Sequence, residues 1–307
     1  MVRKGMIGIV MTTLSLLGMI SAGFAGDAAP YLRIGAGARS IAMGKAFVAI
    51  SDDATSSVWN PAGLPCIEDL SFTLYTSKLS FDRRHSFIGV VKNLQGKGAV
   101  GFAWINSGTE DIMGWDKTGK PTEKFNYSAN AIALSYGYAA EKLNFGAGMK
   151  ILTDKFSAKG YDDRSMGFGG VDVGVIYKAF DNTVTCGGAL RNLLGKIGGD
   201  SVPMMLDLGV AVQFLQGNKA TFAFDISKEF SSVDESTLSV RLGIEYWLGR
   251  ALALRAGGSH TGDRRSLFAG FGVRVAGLQF DYAYSPEDDT VNRIGGSTHF
   301  MSLSYTY

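Results

Sequence analysis

The chain has 307 residues, and 30 Lys and Arg against 28 Asp and Glu give it a formal net charge of +2. This balance, without any basic run, excludes the electrostatic footprint of a nucleic-acid-binding protein. Two cysteines, Cys66 and Cys186, are too few for a disulfide framework, although they could pair with each other in an exported protein. Glycine is enriched at 41 residues, against an average share of about 7%.

The first 25 residues have the features of a signal peptide for Sec-type export. Arg3 and Lys4 supply a positive start, residues 6–20 carry no charge, and Gly23 and Ala25 are small residues at the cleavage positions. The alternative is an uncleaved N-terminal anchor, for which the apolar stretch is short. We therefore expect a signal peptide over residues 1–25.

The region between the signal peptide and the first strand predicts short helical turns. Ala38–Met43 can form one or two turns, and Asp52 or Asp53 can cap a second short helix. Asn60 and Pro61 end that helix, because proline disfavours the α conformation in the residue before it.

From about residue 69 onward, apolar and polar residues alternate, which is the pattern of β-strands. In residues 204–214 every second residue is large and apolar, and those between are mostly small or polar. The pattern predicts fourteen strands near 69–77, 85–93, 97–107, 124–139, 142–155, 164–179, 182–194, 203–214, 219–228, 236–248, 250–260, 265–275, 277–285 and 297–307.

The lengths of the connections choose between a soluble sandwich and a membrane barrel. Connections after even-numbered strands are tight, whereas those after odd-numbered strands are mostly longer and include 108–123, 156–163, 195–202 and 286–296. Bacterial outer-membrane barrels have an even number of strands, short periplasmic turns and longer outer loops. We therefore predict an all-β fold, a 14-stranded antiparallel transmembrane β-barrel, in the outer membrane of a diderm bacterium.

The last strand supports this localisation. Its sequence, HFMSLSYTY, alternates and ends on an aromatic residue, like the C-terminal signal that the outer-membrane barrel-insertion machinery reads. The expected partners are therefore this machinery and the outer-membrane lipid that covers the apolar face.

Charged residues fall on the predicted inner face, strand after strand. They are Lys150, Asp172, Arg191, Asp207, Asp225, Arg241, Glu245, Arg255, Arg274 and Asp281. An Arg facing lipid at mid-membrane would cost about 2–4 kcal/mol, so these residues must face the lumen. They could select ions or solutes, or they could form a ladder of salt bridges; the ladder is favoured because opposite charges commonly pair across strands.

A barrel of fourteen strands needs something in its lumen. Eight strands leave an interior that side chains fill, and sixteen or more leave an aqueous channel. Residues 26–68 are long enough to fill the space, which predicts a signal peptide (1–25), an N-terminal hatch or plug (26–68) and a barrel (69–307).

The motifs of this plug carry a resemblance to a known family. Residues 35–40, 42–44, 46–49, 52–54 and 59–64 resemble the N-terminal region of the FadL/TodX (OMPP1) outer-membrane superfamily, and most of all its PorV/PorQ branch. The resemblance implies a 14-stranded barrel with an Asn-Pro-Ala segment in a hatch inside it. The corresponding residues here are Asp52, Asp53, Trp59, Asn60, Pro61, Ala62 and Gly63.

The resemblance implies two functions. PorV-type proteins are accessories of protein export by the type IX secretion system, so a secretion translocon or an exported cargo would be the partner. FadL-type proteins are passive uptake channels that capture hydrophobic small molecules with long apolar loops. Here the longest predicted outer loop, 108–123, is polar apart from Ile112, Met113 and Trp115, which favours the secretion role, with uptake as the alternative.

No sequence motif indicates an enzyme. His85, His260 and His299 fall near the predicted outer rim, but no nucleophile motif or metal-ligand spacing accompanies them. We therefore predict a non-enzymatic protein without a cofactor or metal.

Overall fold

The computed structural model describes residues 28–158, 161–215, 219–230, 237–286 and 296–307, so the predicted signal peptide lies outside the described residues. Four short helical turns precede a single antiparallel sheet in this part of the chain. Among the described residues, none of the helices is long and apolar enough to cross a membrane.

The helical turns are Pro30–Arg33 and Pro61–Cys66, both 3-10, and the α-helical turns Ala38–Ala42 and Ser56–Trp59. The strands are β1 (Leu70–Lys78), β2 (Arg83–Asn93), β3 (Ala99–Trp115), β4 (Pro121–Ala140), β5 (Leu143–Ala158), β6 (Tyr161–Ala179), β7 (Val184–Leu193), β8 (Lys196–Ile197), β9 (Asp200–Ser201), β10 (Met204–Phe214), β11 (Ala220–Phe230), β12 (Thr237–Leu248), β13 (Leu252–Thr261), β14 (Arg264–Val275), β15 (Leu278–Ser285) and β16 (Thr298–Thr306).

The sheet closes on itself. β1 pairs with β16, β5 pairs with β6, and every other long strand pairs with its neighbours in chain order. β8 and β9 form a two-residue hairpin on β6, where β7 has ended. The remaining strands confirm the predicted closed barrel of 14 antiparallel strands.

Side chains on each strand alternate between the lumen and the outer surface. On β10, Leu208 is 55% exposed and its neighbour Asp207 is 2% exposed. The same alternation places exposed large apolar side chains on the outside of most long strands, for example Leu134, Leu254 and Leu303. A continuous apolar surface of this size is one that lipid covers in a membrane barrel.

We call the end with the short turns the lower end and the opposite end the upper end. At the upper end the predicted loop 108–123 is wrong: β3 continues to Trp115 and β4 starts at Pro121, so the connection is only 116–120. The strand pairing continues there past a bulge near Asp111. The sequence did not predict these strand extensions, because the outward face of this region lacks a regular series of apolar residues and the period-2 pattern is weak. The hydrogen-bonded pairing of β3 with β4 nevertheless continues.

Two other predicted upper loops also contain strand. β5 reaches Ala158 and β6 begins at Tyr161, so little of 156–163 is loop, and β8 and β9 lie within 195–202. Most of the predicted loop 286–296 lies outside the described residues. The strands β3 to β6 thus rise well above β1 and β7: β4 has 20 residues, about twice the 9–11 that cross a bilayer.

The core of the protein lies inside the barrel. Residues 28–69, which we call the N-terminal segment, precede β1 and pack against the inner face of the wall. Ala36, Ile41, Phe47, Ala54 and Leu64 of this segment are completely buried. The helical turn Ala38–Ala42 contacts β13 to β16, whereas Pro61–Cys66 contacts β2 to β6, so the segment crosses the lumen from one side to the other.

Candidate functional site

A ring of glycines brings the N-terminal segment into direct contact with the wall. Its members are Gly89, Gly101, Gly137, Gly146, Gly174, Gly187, Gly209, Gly243, Gly257 and Gly270, each on a different strand. A Cβ atom added at any of them would lie within 3.0 Å of an atom of the segment. Glycine is therefore required at these ten positions, where atoms of the segment lie closest to the strands, and this accounts for part of its enrichment in the sequence.

Trp59 holds two parts of the segment together. Its indole Nε1 donates a hydrogen bond to the carbonyl oxygen of Ala36 at 2.9 Å. The ring is 3% exposed, and it packs edge-on against Phe47 with 6.3 Å between centroids. On the wall side, the guanidinium of Arg191 lies 5.8 Å from the centroid of the ring. The indole thus links Ala36 and Phe47 of the segment to Arg191 on β7.

Asn60 ends the helical turn as predicted and also ties the segment to the wall. Its backbone is extended, with φ −160°, and its side-chain oxygen accepts a hydrogen bond from the backbone N–H of Ala62. The side-chain nitrogen donates to the carbonyl oxygen of Val48 at 2.9 Å and lies 3.3 Å from that of Val175 on β6. Pro61 then starts the 3-10 turn, in which it is buried together with Ala62, Gly63 and Leu64.

Asp52 and Asp53 lie beside Arg39 at the lower face of the segment. Arg39 pairs with Asp52 at 2.5 Å and with Glu245 on β12 at 2.9 Å. The carboxylate of Asp53 accepts the backbone N–H of Thr55 at 2.8 Å, just before the helical turn. Burial raises the pKa of the Asp53 carboxyl, and the positive charge of Arg39 opposes that shift.

The predicted inner charges form buried pairs along the wall. Nine of the ten are at most 7% exposed, and Arg274 is exposed at the lower rim, where it bonds Gln279 at 2.8 Å. The pairs are Lys150–Asp172 at 2.6 Å, Arg191–Asp207 at 2.7 Å, Arg241–Asp207 at 3.3 Å, Arg255–Glu245 at 2.6 Å and Arg255–Asp281 at 2.7 Å. This geometry matches the salt-bridge ladder, the interpretation that the sequence favoured.

Three of these charged residues also hold the segment. The carboxylate of Asp225 accepts the backbone N–H groups of Phe47 at 2.7 Å and Val48 at 2.9 Å. Glu245 pairs with Arg39, and Arg191 lies over Trp59. The plug motif and the row of inner charges, which the sequence presented as separate features, are therefore two sides of one interface.

Sequence reasoning missed several residues of this interface. Arg39 and the glycine ring were not singled out, although glycines alternating in phase with the inner charges were a signal that could have found the ring. His85 was expected near the outer rim but is completely buried in the lumen, with Nε2 2.9 Å from the carbonyl oxygen of Gly35. His85 is buried because its side chain points into the lumen, where the N-terminal segment covers it.

Cys66 and Cys186 are both free thiols, so the two cysteines do not pair. Cys66 ends the 3-10 turn of the segment, and burial raises the pKa of its thiol. Cys186 is exposed on the outer face of β7. In the described part of the chain, no three His, Cys, Asp or Glu residues lie together as a metal site would require.

A cavity of about 300 Å³ lies above the segment, at the upper end of the lumen. We call it the upper cavity. Residues of the segment form its floor and the upper halves of the strands form its sides. Its charged lining residues are Arg33, Lys45, Arg83, Glu229, Arg241 and Arg264, with the aromatic side chains of Tyr31 and Tyr127.

No protein-family model and no curated protein sequence matches this chain. Solved structures match it in shape. The toluene transporter TodX of Pseudomonas putida has a TM-score of 0.69 over 89% of this chain and 98% of its own, at 16% sequence identity.

Two further matches are of the same kind. The toluene transporter TbuX of Ralstonia pickettii has a TM-score of 0.69 over 89% of this chain and 98% of its own, at 14% identity. A FadL homologue from Pseudomonas aeruginosa has a TM-score of 0.58 over 93% of this chain and 99% of its own, at 15% identity. The predicted placement in the PorV/PorQ branch stays a prediction. The chain has the fold of the FadL/TodX outer-membrane channels, a closed barrel of 14 antiparallel strands.

Proposed function

We propose that this protein is a non-enzymatic outer-membrane channel for the passive uptake of small molecules; the alternative prediction from the sequence was such a channel for hydrophobic small molecules. One observation carries the proposal: nearly the whole length of TodX, a toluene transporter, superposes on this barrel. The apolar outer surface supports an outer-membrane location, reached by Sec-type export and inserted by the barrel-insertion machinery through β16.

The N-terminal segment acts as the hatch of this channel. It contacts the wall through glycines on ten strands, so a solute that moves from the upper cavity to the lower end must displace part of it. The residues that hold it closed are Trp59 and Asn60 on the segment and Asp225 and Glu245 on the wall. The proposed domains are therefore the hatch, residues 26–68, and the barrel, residues 69–307.

A hydrophobic substrate is supported by the likeness of the fold to TodX and TbuX, which are both toluene transporters. Of the twenty described residues that line the upper cavity, fourteen carry a charged group or an aliphatic hydroxyl, and apolar groups such as those of Ile34 and Met205 line it as well.

The test is uptake by liposomes that contain the purified mature protein. The solutes are toluene, glucose and glucose 6-phosphate, and the comparison is with the variant Asn60→Ala, which removes the side chain that bonds the carbonyl oxygen of Val48 and lies 3.3 Å from that of Val175 on the wall. We expect uptake of at least one solute, and faster uptake through the variant because its segment is held less firmly. Permeability equal to empty liposomes for all three solutes would contradict the channel.

A second candidate is the predicted secretion accessory of the PorV/PorQ type. Two observations favour it: the close fit of the segment to the wall, and the sheet formed by β3 to β6 above the barrel, which offers a surface to a translocon or an exported cargo. It is tested by comparing the surface and secreted proteomes of a deletion strain with those of the parent strain. Loss of specific exported proteins from the surface would support it, and unchanged proteomes would eliminate it.

A further inference from the structure

The upper cavity has two unlike walls that face each other. On one side Tyr127 of β4 lines it, and the floor carries Tyr31, whose hydroxyl donates a hydrogen bond to the carbonyl oxygen of Asn130 on the same strand at 2.8 Å. On the other side the lining comes from β11 to β14. In the closed barrel β13 is seven strands from β4 in either direction, so the two walls are diametrically opposite.

The wall opposite the tyrosines is a set of hydroxyl groups on adjacent strands, which we call the hydroxyl wall. Its members are Ser227, Thr237, Ser239, Ser259, Thr261 and Ser266. The strand register places Ser239 directly beside both Ser227 and Thr261, and Ser259 beside Ser266. The Thr261 hydroxyl donates to that of Ser239 at 2.8 Å. Since each hydroxyl offers one donor and two acceptor positions, hydroxyls that bond each other keep positions for a ligand.

The charged side chains of the lining are engaged within the protein. They are Arg33, Lys45, Arg83, Glu229, Arg241 and Arg264. Arg33 pairs with Glu229 at 2.6 Å, and Arg241 pairs with Asp207 at 3.3 Å. The other three cations also interact with groups of the protein. The lining therefore gives no basis for selecting a ligand by its net charge, and the hydroxyl wall and the tyrosines decide which ligand fits.

We propose that the upper cavity binds a neutral sugar of monosaccharide size. A pyranose ring carries hydroxyl groups around its edge, and these can exchange hydrogen bonds with the hydroxyl wall. Its C–H groups form a flatter, less polar face, which suits the electron-rich face of the Tyr127 ring. This inference names the substrate class of the proposed channel and rests on that function only for the passage of the sugar, not for its binding.

The same two walls disfavour other ligands. Toluene could stack on Tyr127, but it would remove water from the hydroxyl wall without replacing the lost hydrogen bonds, which is unfavourable. An anion would have to compete for cations that already have partners in the protein. The volume of about 300 Å³ is at the small end for a ligand pocket, so a free monosaccharide is favoured over a longer sugar chain.

The binding test uses the purified mature protein in a detergent without a sugar headgroup, titrated by calorimetry with glucose, galactose, maltotriose, glucose 6-phosphate and toluene. The double variant Ser239→Ala/Thr261→Val removes a cross-strand pair of hydroxyls from the hydroxyl wall. Its matched control is Ser86→Ala/Thr76→Val, because these residues form the same kind of pair, 3.3 Å apart, on the outer face of β1 and β2. We expect glucose or galactose to bind, the inward double variant to bind it about tenfold more weakly, and the outward one to bind it like the wild type.

The aromatic wall has its own pair of variants. Tyr127→Leu removes the flat ring but keeps an apolar side chain, and Tyr138→Leu is the control, since Tyr138 lies on the same strand and is 46% exposed on the outer face. We expect Tyr127→Leu to weaken sugar binding about tenfold and Tyr138→Leu to leave it unchanged. Folding of each variant is checked by its heat-dependent mobility on gels. Because the two walls lie on different strands, either cavity variant tests the inference if the other does not fold.

Every outcome decides the inference. Weaker sugar binding by either cavity variant, with both controls unchanged, supports it. Binding of neither monosaccharide, binding that both cavity variants leave unchanged, or a loss that the outward controls share would overturn it. Binding of toluene alone, of maltotriose alone, or of glucose 6-phosphate in preference to glucose would assign the cavity to another class of ligand and overturn it as well. Sugar binding without liposome uptake of any solute would leave this site in place and remove the channel, whereas toluene uptake without sugar binding would do the reverse.

Discussion

Alanine at two glycines of the ring is expected to loosen the N-terminal segment. A Cβ at Gly257 would lie 2.8 Å from the Cα of Gly44, and a Cβ at Gly187 would lie 2.7 Å from the Cα of Ala49. Carbon atoms normally approach to about 3.5–4.0 Å, so each substitution requires a movement of about 1 Å. Overpacking of this kind costs about 1–3 kcal/mol at each site.

The two substitutions act on different parts of the segment, so their costs should add to about 2–6 kcal/mol. Because about 1.4 kcal/mol is a factor of ten in an equilibrium constant, the displaced fraction of the segment should rise about 30-fold or more in the double variant Gly187→Ala/Gly257→Ala. The assays are conductance in planar bilayers and the rate of tryptic cleavage at Arg39, both of which should increase.

The chain provides a matched control for this prediction in the residues that follow each glycine. Gly188 and Gly258 face outward, and a Cβ there would lie 3.4 Å and 3.5 Å from its nearest neighbour, an ordinary contact. The double variant Gly188→Ala/Gly258→Ala should therefore behave like the wild type. If the inward and outward double variants show the same conductance and cleavage rate, the glycine ring does not seat the segment and the argument is refuted.

Three further predictions concern single residues. Asp225→Ala leaves two buried backbone N–H groups of the segment without acceptors, which costs about 1–3 kcal/mol for each group. The urea midpoint of unfolding should therefore fall. A midpoint like that of the wild type would show that water replaces the carboxylate. Glu245→Gln removes the charge shared by two buried guanidinium groups and should lower the free energy of unfolding by about 3–5 kcal/mol, whereas an unchanged value would mean that these groups find other partners. Burial raises the pKa of the Cys66 thiol. In a Cys186→Ser background, the folded protein should therefore react with maleimide at pH 8 more slowly than the chain unfolded in urea, and the rate should rise with pH. Equal rates in the folded and unfolded chain would contradict the burial.

Much of the barrel could be predicted from the sequence, because membrane strands carry a strong periodic signal. Residues 204–214 show it clearly: each apolar side chain needs lipid and each charged one needs the lumen, so the phase of the strand is fixed by energy alone. Where the alternation of apolar and polar residues is weak, the predicted strand boundaries were wrong. Residues 108–115 are strand in the structure, but their alternation is weak, and sequence reasoning assigned them to a loop.

The site was predicted in parts but not as a whole. The helix stop at Asn60 and Pro61 was readable, since it depends on two adjacent residues. The contacts that matter most for Asn60 lie with Val48 and with Val175 on β6, which is 115 residues away, and no local pattern encodes them. His85 illustrates the same limit, because its position along β2 was correct and only the packing of Gly35 against it decided that it is buried.

By itself the sequence determined the closed all-β architecture, since alternation, connection length and inward charges are each local and each points to the same barrel. The tertiary structure decided what those charges do. Asp225, Glu245 and Arg191 meet the N-terminal segment only because closure of the sheet brings β7, β11 and β12 around it. The upper cavity is likewise a product of closure, because its lining residues come from the segment and from strands far apart in the chain.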